Sequence, residues 1–305
     1  MRRPVLAFLA AAAVGRAQQP AAHEMPQEMV WVDRTGRILG RVGSPQMSIF
    51  FPELSPDGRS IAVSARDGET NDRDVWVHDV GSGAKRVMYP AKGNDNFPVW
   101  SPDGKELIFT SSRGGGYDMR RGDAVLLKAP VSEYPRSWSP DGRWLIYTSA
   151  DTKRDLFLLP LDGPAEPKPL VVDAKAWSDG ARFSPDGRYF AFVSNAAGPF
   201  EVYVASTADP SRRWKVSREL ANGWAGGGGQ VRWRRDGKEL FYMMGNDTML
   251  SVEVSTAGEF RFSAPKRLFA LRGMMGNFPE EAPYLAKYDV TADGQRFVFV
   301  RTIPK

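Results

Sequence analysis

The sequence predicts an all-β protein: a six-bladed β-propeller of four-stranded antiparallel blades, closed by pairing of its N- and C-terminal strands. Three observations carry this. One turn motif recurs six times, each copy is followed by the same run of apolar positions, and the two strands missing from the last copy stand at the start of the chain. Sheets this small cannot bury their apolar faces alone, and stacking them radially is the standard solution.

The turn comes first. Ser-Pro-Asp-Gly occupies residues 55–58, 101–104, 139–142 and 184–187, with degenerate copies at 234–237 and 291–294. Gly58 and Gly294 are 236 residues apart over five intervals, about 47 residues each. Pro pre-sets φ for the second position of a type I turn, Asp tolerates the third, and Gly takes the left-handed position that closes a hairpin. Three residues before each Asp stands an apolar residue, Leu54, Trp100, Trp138, Phe183, Trp233 or Val290, which marks a short inner strand, a.

Strand b follows the turn. Its apolar positions lie four and six residues past the Asp, at Ile61, Leu107, Leu145, Phe190, Leu240 and Phe297, and at Val63, Phe109, Tyr147, Phe192, Tyr242 and Phe299. The intervening Ala62, Ile108, Ile146, Ala191, Phe241 and Val298 are apolar too, so strand b is expected to be covered on both faces. Strand c is seen in Val75-Trp76-Val77 or Val202-Tyr203-Val204, and a more polar strand d in residues 85–88 or 266–269. The second blade has a truncated outer turn, since residues 117–121 run almost directly into 125–127. No segment from Glu24 onward sustains a helical period.

The last unit stops after strand b. The missing outer pair is expected at the N-terminus, where Val30-Trp31-Val32 reads as strand c and residues 37–42 as strand d, so that Val30, Ile38 and Leu39 find cover. Ahead of this lie a basic start, Arg2-Arg3, an apolar run from Val5 to Val14, and small residues at Gly15 and Ala17. This reads as a secretory signal over residues 1–17, cleaved near Ala17, then a linker over 18–29 and one propeller domain over 30–305. Ten apolar residues rise only about 15 Å as a helix, half a bilayer core, so stable membrane insertion is not expected. The expected location is periplasmic or extracellular. The formal charge of +5 falls to +2 without Arg2, Arg3 and Arg16, which removes the argument for nucleic acid.

These motifs, together with Asp74-Val75-Trp76-Val77 and Val30-Trp31-Val32-Asp33-Arg34-Thr35-Gly36-Arg37, resemble the TolB-type propeller. They resemble still more the propeller domains appended to bacterial serine/threonine kinases. The likeness covers residues 30–305. It implies the fold, and it is vague about function: the chain has neither a kinase domain nor the N-terminal α/β domain that TolB uses in its envelope complex, so neither kinase activity nor the TolB partner set is carried over.

The chemistry available is narrow. The chain has no cysteine and two histidines, which excludes thiol nucleophiles and leaves almost nothing for His-based metal sites. His78 lies inside strand c, and no G-x-S-x-G elbow exists. Neither catalytic residues nor a metal or cofactor is assigned. The glycine run 226–229 lacks the Lys-Ser/Thr of a phosphate loop, and the acidic stretch 67–74 lacks EF-hand spacing. The acids that open strand c, Asp74, Asp118, Asp155 and Glu201, recur from blade to blade, which suggests backbone capping.

In such a ring the Asp-Gly turns lie on one face and the b–c and d–a loops on the other. The long d–a loops carry the candidate ligand-binding residues Phe51, Phe97, Tyr134, Trp177, Trp224 and Phe278. The competing role for each is to plug the seam between blades. The expected function is a monomeric, non-catalytic binding or scaffold propeller for an envelope protein, peptide or glycan. The alternatives are a sensory partner of a signalling kinase, and a hydrolase or lyase with an acidic or calcium site at the channel mouth.

Overall fold

The computed structural model describes residues 26–66, 72–128, 130–150, 154–218, 228–245, 248–271 and 286–303, and these form strands and turns with no helix. Blade two consists of Asp95–Trp100, Leu107–Ser111, Asp118–Arg121 and Ala124–Leu127, hydrogen-bonded in that order. Blade three consists of Glu133–Trp138, Trp144–Ser149, Asp155–Pro160 and Lys168–Val171, and blade four of Ser178–Phe183, Tyr189–Ser194, Glu201–Ser206 and Arg213–Lys215. Blade five is built from Gly228–Trp233, Glu239–Met244, Thr248–Ser255 and Lys266–Ala270, with the short strand Arg261–Phe262 beside them.

Blades six and one share a seven-stranded sheet. Its centre is the long strand Ile38–Leu54, whose first half is strand d of blade six and whose second half is strand a of blade one. Pro26–Asp33 lies between this strand and Arg296–Thr302, in unbroken antiparallel register from Gln27↔Thr302 to Asp33↔Arg296. The strand begins at Pro26, so residues 26–29, read as linker from sequence, belong to it. Gln27 and Glu28 are buried: the Gln27 Oε1 accepts the Ile49 amide at 2.6 Å, and Glu28 pairs with Arg41 at 2.6 Å and Arg301 at 2.7 Å. Val30 is buried as expected. Ile38 and Leu39 are exposed, because strand d is the outer edge of its blade and no further sheet covers it.

The three apolar positions of strand b are buried in all six blades, from Ile61, Ala62 and Val63 to Phe297, Val298 and Phe299. Each lies between two neighbouring sheets, and each large side chain contributes roughly 1.5–3 kcal/mol by leaving water. The turns are equally uniform. In each, the glycine amide donates to the carbonyl three residues back at 2.8 or 2.9 Å, with glycine φ between +69° and +77°. Ser55, Ser101, Ser139, Ser184 and Thr291 donate their hydroxyls to the turn aspartates at 2.5–2.6 Å. Arg234 replaces the hydroxyl in blade five and reaches Asp236 at 2.7 Å. The acids opening strand c are less uniform than expected. Asp155 accepts the Asp173 amide at 3.2 Å, whereas Glu201 binds Ser217 and Lys215 side chains.

Identical turns make different demands on their surroundings. A methyl group on Gly142 meets nothing within 4 Å, while one on Gly294 falls 2.8 Å from Arg234 Cδ and 3.1 Å from Phe241. Gly142→Ala is expected to cost about 1 kcal/mol, the left-handed strain alone. Gly294→Ala is expected to cost at least about 1 kcal/mol more from overpacking; urea unfolding of the two variants measures the difference.

His78 is fully buried, with Nε2 2.9 Å from Gln46 Oε1 and Nδ1 without a hydrogen-bond partner. Burial, with Lys85 beside it, lowers its pKa from 6.5 to about 4. Below pH 6.5 the unfolded chain takes up a proton that the folded chain refuses, so this contribution to stability is lost as pH falls from 6.5 towards 4. Wild type is expected to lose roughly 2 kcal/mol more than His78→Gln between pH 7 and pH 4.5, read by urea unfolding at both values.

Candidate binding site at the ring axis

Strand a lines the axis, and it is irregular for a reason. Its pairing with strand b slips between Phe50 and Glu53, Asn96 and Val99, Pro135 and Ser137, Asp179 and Arg182, and Gly229 and Arg232. Such bulges turn the strand locally. Six residues before the turn Asp, φ is +54° at Phe51, +58° at Phe97, +64° at Gly180 and +56° at Gln230. A left-handed conformation costs a non-glycine residue roughly 1–2 kcal/mol, so three blades hold the same strained position.

Beyond the bulge, four residues before the turn Asp, stand Glu53, Val99, Ser137, Arg182, Arg232 and Asp289. The charged ones meet at the axis. Arg182 of blade four reaches across to Glu53 of blade one in a two-pronged pair, at 2.8 and 3.1 Å. Arg232 donates from Nε to Asp289 Oδ1 at 2.9 Å and lies 3.7 Å from Glu53. Asp289 Oδ2 accepts the Leu54 amide at 2.7 Å, and Arg182 also donates to the Arg136 carbonyl. Burial pushes the Glu53 carboxyl up, Arg182 and Arg232 oppose this, and Asp289 adds to it. Burial pulls Arg182 down to about 10, still a cation at neutral pH. The two acids and two arginines neutralise one another. The hydrogen-bond pattern of this layer joins the seams as well: the indole Nε1 of Trp100 donates to the Glu53 carbonyl and that of Trp233 to the Arg182 carbonyl, each at 3.0 Å.

On the loop side of this layer, four of the sequence-predicted residues form one belt. The Phe51 and Phe97 rings are 4.1 Å apart, and Phe97 and Tyr134 are 4.5 Å apart. Arg136 sits 4.8 Å over Phe97, and Arg154 lies 5.4 Å from Tyr134 and 5.9 Å from Trp177. Buried Asp179 pairs with both arginines at 2.7 Å and accepts the Thr148 hydroxyl at 2.6 Å. Phe51, Phe97 and Tyr134 belong to strand a and not to loops, because the bulge lets strand pairing begin before them. Phe51 is buried, Phe97 and Tyr134 are half-buried, and Trp177 is 39% exposed. Trp224 and Phe278 lie outside the described residues, as do the glycine run up to 227 and most of the acidic stretch 67–74.

The ionic layer was missed by the sequence reading. Its one local signal was that four of the six residues standing four before the turn Asp are charged. On the turn side of the layer the axis opens into a bowl of about 890 Å³. Among the described residues no group of three or more His, Cys, Asp and Glu side chains is arranged to hold a metal ion.

Comparison with known proteins identifies the fold as that of TolB-like propellers. A structure assigned as TolB of Agrobacterium tumefaciens superposes with a TM-score of 0.68 at 17% identity, covering 92% of this chain and 99% of that one. TolB of Acinetobacter baumannii gives 0.54 at 19% identity, covering 82% and 66%. The tricorn protease gives 0.56 at 16%, covering 76% of this chain and 24% of that one. In sequence, 90 residues are 28% identical to the Tol-Pal system protein TolB of Alcanivorax borkumensis, which is 30% of this chain and 20% of that protein. A stretch of 163 residues is 26% identical to the uncharacterised peptidase YuxL of Bacillus subtilis, 50% of this chain and 24% of that protein. The matches thus span a quarter or less of these two relatives. No family model matches the chain.

Removing the Asp179 carboxylate strands Arg136, which is 5% exposed, and loosens Arg154. Asp179→Ala is expected to destabilise the protein by about 3–5 kcal/mol, the cost of leaving a buried charge unpaired. Thermal and urea unfolding measure the loss.

Proposed function

We propose that the protein is a non-catalytic periplasmic propeller that binds an envelope protein or peptide on its loop face. The observation that carries this is the distribution of exposed apolar side chains. Six large ones stand exposed among the described residues; Ile38, Leu39 and Val125 lie on outer edge strands. The other three, Tyr117, Val172 and Trp177, are in b–c and d–a connections, all on the loop face. Trp177 also ends the aromatic and arginine belt, so a rigid, partly desolvated surface backs it. Aromatic anchors beside arginines are the usual energetic centres of protein interfaces.

The lack of free chemistry supports a binding role. The acids at the axis are engaged, Glu53 by Arg182 and Asp289 by Arg232, so neither carboxylate stands free to act on a substrate. The two relatives with peptidase or protease names are matched over only about a quarter of their length. The basic and apolar N-terminal run supports export, and the TolB-named relatives favour an envelope protein over a glycan as the partner.

The test is capture from envelope extract on the immobilised mature chain. One or more envelope proteins are expected to be enriched over a charge-matched control protein. Trp177→Ala is expected to weaken the interaction by about 2 kcal/mol, roughly thirtyfold, with an unchanged unfolding transition. No enrichment, or full retention by Trp177→Ala and Tyr117→Ala together, would overturn the proposal.

A further inference from the structure

The opposite face carries a second feature. The turn-side bowl of about 890 Å³ has the ionic layer as its floor, and the turn prolines and the Trp100, Trp138 and Trp233 indoles as its wall. The loop-face reading makes no use of it. What the bowl can recognise follows from which of its polar groups are already satisfied.

The acids of the floor are satisfied. Glu53 takes both prongs of Arg182; Asp289 takes Arg232, the Val290 amide and the Leu54 amide. Asp57 and Asp293, at the rim, each accept a hydroxyl and a backbone amide of their own turn on Oδ1. Three of the four arginines are not satisfied, Arg182 being the exception. Arg232 is 6% exposed, and its Nη2 makes no hydrogen bond; its ion-pair partner, Glu53 Oε2, stands 3.7 Å away, beyond hydrogen-bond reach. Arg296 rests over the Trp31 ring at 5.0 Å, and neither its guanidinium nor that of exposed Arg235 makes a hydrogen bond or ion pair among the described residues. The bowl therefore offers donors at its floor and rim, and the acceptors of its floor are occupied.

We infer that the turn-side bowl binds a monoanionic carboxylate carried on an apolar body, as at the free C-terminus of a peptide ending in a large apolar residue. The carboxylate takes the vacant Arg232 Nη2 donor at the floor, and the apolar body lies against proline and indole faces. Arg235 and Arg296 draw the anion in and complete its shell. A dianion is disfavoured, because Glu53 and Asp289 lie beside the vacant donor and repel a second charge.

The experiment uses three probes on the mature chain: N-acetylphenylalanine, its carboxamide and inorganic phosphate, followed by tryptophan fluorescence and calorimetry. N-acetylphenylalanine is expected to bind saturably, at least about tenfold tighter than either of the others. The double variant Arg235→Gln, Arg296→Gln, which leaves every pair at the axis intact, is expected to bind it at least about fivefold more weakly and with a shallower salt dependence. Trp177→Ala is expected to bind it as wild type does, so failure of the loop-face reading leaves this result standing. Equal binding of the carboxamide, equal or tighter binding of phosphate, no effect of the double variant, or no saturation at roughly 10 mM would overturn the inference.

Discussion

The constraint on which the rest of the structure depends is the two-sided burial of strand b. Three consecutive apolar residues point alternately to both faces of a sheet, so no blade of this chain has a face it can leave in water. A blade with Leu240, Phe241 and Tyr242 at its centre needs a neighbour on each side, and this holds for all six. The stability of a blade is then a property of its seams. The turn chemistry serves the same end, since a fixed hairpin between strands a and b keeps the apolar run in register with the adjoining sheet.

The axis is where six such sheets converge, and convergence brings together groups that the sequence keeps far apart. Glu53 and Arg182 are 129 residues apart and meet across the ring. A buried ion pair of this kind is seldom a large source of stability, because desolvation cancels much of the attraction. Its value here is geometric. With a two-pronged pair, a second arginine and amides from neighbouring strands, the layer specifies which blade stands opposite which, and it separates the loop side of the axis from the turn side.

The fold was legible in the sequence, because it is encoded locally and six times over. The turn glycines, the hydroxyl partners of the turn aspartates and the apolar triplets are all short-range patterns, and the position of each could be checked against five copies. The axis was legible only in part. The belt residues were recognisable as aromatics near the start of strand a, yet Phe51, Phe97 and Tyr134 were read as loop residues because the bulge breaks the alternation that marks a strand, while Trp177 does lie in its loop. Gly180 at the bulge position was the available hint that this register needs a left-handed backbone. The ionic layer escaped because its pairs depend on ring geometry, which no local pattern states. Ile38 and Leu39 show the opposite error: apolar character suggested cover, and an edge strand provides none.

The pairing of Pro26–Asp33 with Arg296–Thr302 has a mechanical consequence. The strands are antiparallel, so Gln27 and Thr302 sit side by side, and the Ile303 amide donates to the Pro26 carbonyl at 3.0 Å. The first and last described residues, Pro26 and Ile303, thus meet at one point, on the loop face. Tension applied between them would peel the clasp apart one residue pair at a time. Tension between the N-terminal strand and a point on the turn face would instead load all its pairs in shear. The same joint is weak to one direction of pull and strong to another.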